Sequence, residues 1–236
     1  MLVALLAYYL VPASLDRARF LTRLEKVELA AILRKDSDTT DAEPFNWRGV
    51  RAALTDPQCW GYAMLFHCHS FSLYSITLFS PIIISGLGFA TWRLQLMSTP
   101  PYAIAFVMVM STAYASYKLQ RRAPLIIIAD CIAIIGYILL ISDTRAGPSY
   151  IGLFFVISGI YAANALVLSW PAEDISSQTK RATALGMQIS VGNMGAITSV
   201  MIYRPTPTSF FEHHYRKPHI ITLVYLLGAI AVASSL

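Results

Sequence analysis

Residues 150–170 read YIGLFFVISGIYAANALVLSW, a run of 21 residues that contains no charged side chain. A helix of roughly 20 apolar residues is long enough to cross a bilayer hydrocarbon core of about 30 Å. Such a helix also satisfies its backbone polar groups internally, as the lipid environment requires. This stretch therefore predicts a membrane-spanning helix.

Five further stretches have the same apolar character, so the sequence predicts six spans: Tyr62–Ser85, Leu94–Tyr117, Pro124–Ser142, Tyr150–Trp170, Thr183–Tyr203 and Ile220–Leu236. The composition agrees, because 56% of the residues are hydrophobic, 13% are charged and the mean hydropathy is +0.56. This composition argues against a soluble domain. We expect an all-α polytopic membrane protein whose main surroundings are the lipid bilayer.

The positions of the charged residues predict the topology of these spans. Thirteen Lys and Arg residues precede residue 62 or lie in the loops Lys118–Arg122 and Pro171–Ala182, whereas five lie in the alternating loops. By the positive-inside rule, the first group faces the cytoplasm. The net charge of +5 is therefore explained by topology, and we expect no nucleic-acid partner.

The chain divides into three predicted regions. An apolar segment at residues 1–13 precedes a polar segment at residues 14–58, which is interpreted as a cytoplasmic linker with amphipathic helices. Residues 59–236 then form the helix bundle.

Local patterns predict where helices begin in and after the linker. Thr22 and Glu25 have the spacing of a capping box, which indicates a short amphipathic helix. A second amphipathic helix is expected around Trp47, at the level of the lipid headgroups. Asp56 and Pro57 are predicted as the N-cap and first residue of the first full span.

Polar side chains in the middle of spans are candidates for a substrate pathway, because they are costly in lipid and usually face a bundle interior or a water-filled path. Tyr74, Asn164, Gln188 and Asn193 are the candidates in this chain. Hydrogen bonding between helices is the alternative explanation for each of them.

Glycine and uncharged polar residues recur along one face of a predicted span. Gln188, Gly192, Gly195 and Ser199 are spaced at i, i+4, i+7 and i+11. Such a stripe predicts close approach of another helix and is more often used for packing than for binding.

Titratable residues also occur within the spans. His67 and His69 are two residues apart, so on a helix they point about 200° away from each other and do not form a chelating pair. A single one that faces a cavity would be able to carry a proton, and a hydrogen-bonded structural residue is the alternative. Asp130 is expected to form a structural ion pair with Arg121 or Arg122, with a coupling site as the alternative.

The sequence contains no pattern of catalytic or cofactor-binding residues. Cys59, Cys68 and Cys131 lack the paired spacing of a metal site or a disulfide framework. No HExxH motif and no phosphate loop occur. We expect no enzymatic activity, no metal and no cofactor.

Several motifs, taken together and in order, resemble the fungal allantoate permease family of the major facilitator superfamily, whose members are also called anion:cation symporters. They are Tyr74-Ser75-Ile76-x-Leu78-Phe79, Ser169-Trp170-Pro171-Ala172, Thr179-Lys180-Arg181-Ala182 and Met187-Gln188-Ile189-Ser190-x-Gly192-Asn193-x-Gly195. The motifs Ile84-Ser85-Gly86-Leu87-Gly88-Phe89 and Pro100-Pro101-Tyr102 place the resemblance nearest to nicotinic acid transporter-like members.

The resemblance implies a C-terminal half of such a transporter. Residues 1–13 would be the end of the sixth helix, residues 14–58 the central loop and residues 59–236 helices seven to twelve, with the N-terminal half missing. The implied function is proton-coupled transport of small organic anions, such as nicotinate, allantoate or related vitamins, across the plasma membrane by alternating access.

The basic residues of the cytoplasmic loops are expected to act in topology and in a cytoplasmic gate or latch: Lys118, Arg121, Arg122, Lys180 and Arg181. Two positions depart from the family pattern. Tyr117 lies between Ser116 and Lys118, where the family usually has Ser-Asp-Arg, and Glu173 stands where the family often has Asn. These departures motivate an alternative function, a membrane sensor or regulatory half-protein that does not transport.

Overall fold

A computed structural model describes residues 22–36, 45–86, 91–142, 146–202 and 216–236. These residues form eight helices and no strand: α1 (Arg23–Asp36), α2 (Trp47–Thr55), α3 (Pro57–Gly86), α4 (Thr91–Leu119), α5 (Ala123–Ser142), α6 (Ala146–Asp174), α7 (Gln178–Ile202) and α8 (Arg216–Ser235). The expected end of a preceding helix at residues 1–13 lies outside the described residues.

Five of these helices, α4 to α8, contain segments long and apolar enough to cross a membrane, with mean hydropathies between 1.3 and 2.6. This confirms an all-α polytopic membrane protein. Helix α3 has 30 residues, which is about 45 Å of helix and long enough for a span. It is not among the five candidate spans found in the described residues, so the sixth span stays a prediction.

The predicted helix starts of the linker are present in the structure. The backbone N–H of Thr22 donates to Oε2 of Glu25 at 2.8 Å, and the N–H of Glu25 donates to Oγ1 of Thr22 at 3.4 Å, which completes the capping box. Asp56 caps α3, because its Oδ1 accepts from the N–H of Gln58 at 2.9 Å. Short-range capping chemistry thus sets both helix starts.

Helices α3 and α7 pack tightly side by side and run parallel. Gly192 of α7 lies against the ring of Phe66, and Gly195 lies against the backbone of His67 and Phe71. These glycines, with Gln188 and Ser199, are all buried, which confirms the predicted packing stripe. The absence of side chains at the two glycines is what lets the helices approach this closely.

Helices α5 and α6 form the second close pair and run antiparallel. A Cβ added to Gly159 would lie 2.5 Å from the carbonyl oxygen of Ala129, and one added to Gly136 would lie 2.7 Å from that of Gly152. Helix α8 covers α3 and α5, with the side chain of Leu236 against Gly61. The apolar core therefore lies between α3, α5, α6 and α8.

The ends of these helices that carry the basic loops come together at one side of the bundle. Nζ of Lys180, at the start of α7, lies 2.6 Å from Oδ2 of Asp56, at the start of α3. Arg122, just before α5, forms an ion pair with Glu173 near the end of α6. We term this side the basic end of the bundle.

Cysteine labelling tests the prediction that the basic end faces the cytoplasm. Tyr117, at the basic end, is 77% exposed, and Gly147, near the opposite end, is also exposed. In a background with the native cysteines replaced by Ser, we expect Tyr117→Cys to react with an impermeant maleimide only from the cytoplasmic side. The matched variant Gly147→Cys should react only from the outside, and the reverse pattern would contradict the topology.

Candidate functional site

Two of the four candidate pathway residues, Gln188 on α7 and Asn164 on α6, have buried polar side-chain atoms. Gln188 is fully buried, and its Nε2 donates to the carbonyl oxygen of Val167 at 2.9 Å. Asn164 lies one helical turn before Val167 on α6. Oε1 of Gln188 and Oδ1 of Asn164 are buried and have no hydrogen-bond partner among the described residues. Gln188 therefore joins two helices and retains one unused acceptor.

The other two candidates, Tyr74 and Asn193, are exposed on the surface of the bundle. Tyr74 is 43% exposed on α3, and Asn193 is exposed on α7. Because His67 bonds to the backbone of Val191, Asn193 lies near the level of His67, and Tyr74 is seven residues, or about 10 Å, farther along the helix pair. The four candidates therefore do not converge on one point.

The two histidines point to different neighbours, as their spacing predicts. Nδ1 of His67 lies 3.0 Å from the carbonyl oxygen of Val191 on α7. Nε2 of His69 lies 3.0 Å from Oδ1 of Asp130 on α5.

The expected pairing of Asp130 with Arg121 or Arg122 is wrong. Asp130 is eight residues beyond Arg122, which is about 12 Å along the helix axis and too far for the arginine side chain. Arg122 instead pairs with Glu173, and its Nη1 donates to Oγ of Ser169 at 2.7 Å. Asp130 meets His69 in the interior.

The other basic residues of the predicted gate make separate contacts. The ammonium group of Lys118 lies 5.8 Å from the ring centroid of Tyr114. The guanidinium group of Arg181 donates to the carbonyl oxygen of Ala172 at 3.4 Å, and Arg121 is exposed. Arg122, Lys180 and Arg181 thus connect neighbouring helices at the basic end, whereas Lys118 contacts its own helix.

Asp174 is a further residue of the basic end that the sequence did not single out. Its Oδ2 accepts from Nε2 of Gln58 at 2.6 Å and from the hydroxyl group of Tyr62, so it joins α6 to α3. Asp174 and Glu173 also line a cavity of about 460 Å³ together with Arg122 and Trp170. The signal that could have identified Asp174 is its place at the end of a span beside a basic loop.

A pH titration tests the contribution of the ion pair between Asp56 and Lys180. The hydrogen bond from the Lys180 ammonium group, with one from the backbone of Gln58, lowers the pKa of Asp56 from its ordinary value of 3.8. The stabilisation is therefore present above that value and is lost as the pH falls through the lowered pKa. Both side chains are partly exposed, so we expect Asp56→Asn, which can still cap α3, to cost about 0.5 to 1 kcal/mol at neutral pH.

The measurement is the thermal midpoint of the purified chain in detergent, from neutral to strongly acidic pH. The difference between wild type and Asp56→Asn should shrink towards zero at acidic pH. Arg121→Gln is the control for loss of an exposed charge at the same end of the bundle. A difference that stays constant over the whole pH range would contradict the assignment.

Comparison with known proteins finds transporters. No protein-family model matches the chain. An uncharacterized transporter of Schizosaccharomyces pombe is 31% identical over 201 residues, which is 84% of this chain and 40% of the relative. The high-affinity nicotinic acid transporter of Saccharomyces cerevisiae is 27% identical over 190 residues, 80% of this chain and 36% of the relative. The MFS-type transporter efuF of Hormonema carpetanum is 26% identical over 205 residues, 86% of this chain and 42% of the relative.

The matches cover a smaller share of each relative than of this chain. The chain spans about 40% of the length of the curated relatives it matches, although most of the chain itself is aligned.

Proposed function

Because the chain is an integral membrane protein homologous to transporters of the major facilitator type, we propose that it acts in secondary transport of small organic anions by alternating access. The substrates we propose are carboxylates such as nicotinate, allantoate or related vitamins, carried together with protons across the plasma membrane. One relative is named a high-affinity nicotinic acid transporter, which supports this substrate class.

The observation that carries the proposal is the exposure of Tyr74 on α3, the sixth predicted span, and of Asn193 on the candidate span α7. A hydroxyl or amide group that faces lipid loses its hydrogen bonds with water, so such residues usually face a protein interior or a water-filled path. The phenol and the amide can each donate a hydrogen bond to a carboxylate. We therefore propose that the exposed faces of α3 and α7 line the substrate pathway.

A pathway at this surface needs a second wall. We propose that a second set of helices, corresponding to the N-terminal half of a transporter, packs against these faces and encloses the substrate near the membrane midplane, as in transporters built from two halves. Gln188 and Asn164 then stabilise α7 from the side opposite the pathway. Their side-chain oxygens that lack a partner are available to accept hydrogen bonds if the helices rearrange.

The basic end is proposed to act as the cytoplasmic gate. Its ion pairs, between Asp56 and Lys180 and between Arg122 and Glu173, join the starts of α3, α5 and α7 to neighbouring elements. Ion pairs between partly exposed groups contribute about 0 to 1 kcal/mol each, so they can be broken and reformed during a transport cycle.

Uptake of labelled nicotinate and allantoate tests the function. The chain is expressed alone, and also fused behind the N-terminal half of the Schizosaccharomyces pombe relative, in cells that lack endogenous uptake. We expect saturable uptake by the fusion that is stimulated by an inward proton gradient and lost with a protonophore.

Insertion is measured in parallel so that a negative result can be interpreted. No uptake by either protein, when both are correctly inserted in the plasma membrane, would contradict transport of these anions. In separate cells that keep a resident permease for these anions, a change in its uptake when the chain is expressed alone would favour the regulatory function instead.

A further inference from the structure

The bundle contains a buried acid and base that the proposed pathway does not use. His69 on α3 and Asp130 on α5 are both 0% exposed, and Nε2 of His69 lies 3.0 Å from Oδ1 of Asp130. Helix α3 makes its main contacts with α6, α7 and α8, and α5 makes its main contacts with α6 and α8. The side-chain pair therefore connects α3 and α5, two helices whose main contacts are with other helices and not with each other.

The hydrogen-bond geometry fixes the number of protons in this pair. Nδ1 of His69 lies 2.9 Å from the carbonyl oxygen of Leu65, which can only accept, so Nδ1 carries a hydrogen. The contact between Nε2 and Oδ1 then holds one proton. The pair is either a neutral imidazole with a carboxylic acid or an imidazolium with a carboxylate, and its net charge is zero in both forms.

Removal of that one proton would leave lone pairs on Nε2 and Oδ1 facing each other. It would also leave a net negative charge at a fully buried position, which is strongly unfavourable without water. Oδ2 of Asp130 is buried and has no hydrogen-bond partner among the described residues, so no second donor stabilises an anionic carboxylate. The observed packing therefore retains the proton, and its loss requires the contact between α3 and α5 to open to water.

Other titratable side chains on the surrounding helices have contacts of their own. On α8, the ring of Tyr225 stacks on Phe71 at 3.9 Å, and the ring of His219 lies 5.5 Å from that of Tyr137 on α5. Nearer to the pair, Cys68 is next to His69 in the sequence and is buried, Tyr161 on α6 bonds to Thr77, and His67 faces α7. Within the described parts of the spans, Asp130 is the carboxylate farthest from a helix end.

We propose that His69 and Asp130 form an intramembrane proton-binding site, which holds one proton in the closed bundle and releases it to water when α3 and α5 separate. This assignment rests on the proposed function for its role in transport, where it would supply the coupled proton. The O–H or N–H bond that forms on loading and breaks on release exchanges its proton with water, so no other reactant is needed.

Two substitutions at Asp130 separate a proton site from a purely structural contact. Asp130→Asn keeps the bridge, because the Asn amide N–H can donate to the neutral imidazole Nε2, but it removes the exchangeable proton. Asp130→Ala removes both the bridge and the proton. Cys131→Ser, an exposed neighbour on the same helix, is the control.

The first measurement does not depend on transport. The chain is reconstituted in lipid vesicles, and infrared difference spectra are recorded between acidic and alkaline pH. We expect a pH-dependent change in the bands of the Asp130 carboxyl or the His69 imidazole group in wild type and Cys131→Ser, its loss in Asp130→Asn and a shift of its midpoint in His69→Gln. Identical difference spectra for wild type and for an equally helical Asp130→Asn would overturn the proposal.

The second measurement is uptake by the fusion described above. We expect Asp130→Asn to lose the stimulation by an inward proton gradient while it retains exchange of labelled for unlabelled anion. Wild-type gradient dependence in Asp130→Asn, with a defect only in Asp130→Ala, would show a structural bridge and overturn the proposal. If wild type shows no uptake at all, the transport function fails, and the infrared titration still decides whether the proton site exists.

Discussion

Replacement of Gly195 by Ala is expected to lower the free energy of unfolding by about 2 to 3 kcal/mol, at the upper end of the cost of overpacking. A Cβ at this position would lie 2.3 Å from the carbonyl oxygen of His67 and 3.2 Å from the backbone nitrogen of Phe71. These atoms belong to the backbone of α3, so the clash cannot be relieved by rotation of a side chain. The two parallel helices would have to move apart.

Two glycines of the same helix provide controls. A Cβ at Gly186 meets nothing within 4 Å, so Gly186→Ala should be neutral or stabilise by up to about 1 kcal/mol through helix propensity. Gly192→Ala should lie between the two, because the nearest atoms belong to the ring of Phe66, which can shift. The measurement is denaturant unfolding in detergent followed by circular dichroism. A Gly195→Ala variant as stable as Gly186→Ala would contradict the packing of α3 against α7.

Replacement of Asn193 by Ala is expected to reduce the apparent affinity for the transported anion about 10-fold to 100-fold, the range for loss of one hydrogen bond to a charged group. The expected reason is that the exposed amide faces the pathway. Tyr74→Phe, which removes only the hydroxyl group, should act in the same direction. Concentration-dependent uptake by the fusion measures both effects as an increased KM.

The stability of the same variants separates binding from packing. Thr198→Ala is the matched control on α7, because the Thr198 hydroxyl group already donates to the carbonyl oxygen of Met194 in its own helix. Gln188→Ala should lower stability as well as uptake, since its amide holds α7 to α6. An unchanged KM in both Asn193→Ala and Tyr74→Phe would exclude these faces of α3 and α7 from the pathway.

Features that depend on residues close together in the sequence were predictable. The capping box of Thr22 and Glu25 needs only a three-residue spacing and a favourable helix start. The stripe containing Gly192 and Gly195 needs only the helical period. Both are present in the structure because the local geometry alone determines them.

Features that depend on which helices become neighbours were not predictable. The sequence assigned Asp130 to the nearest arginines along the chain. Its partner is instead His69, which is 61 residues away on α3 and is placed beside Asp130 by the packing of the bundle. Asp174 likewise meets Gln58, 116 residues away. The sequence shows that a buried charge needs a partner, whereas only the packing of the helices selects that partner.

The dependence of α3 on distant partners has a consequence for biosynthesis. His67 of α3 bonds to Val191, which lies 124 residues later in the chain. At a translation rate of about 5 to 20 residues per second, the ribosome needs about 6 to 25 s to make that partner. During this interval α3 must remain beside the insertion machinery, or pair temporarily with another chain, until α7 emerges. Slower elongation would therefore increase the time in which quality control can remove the nascent protein.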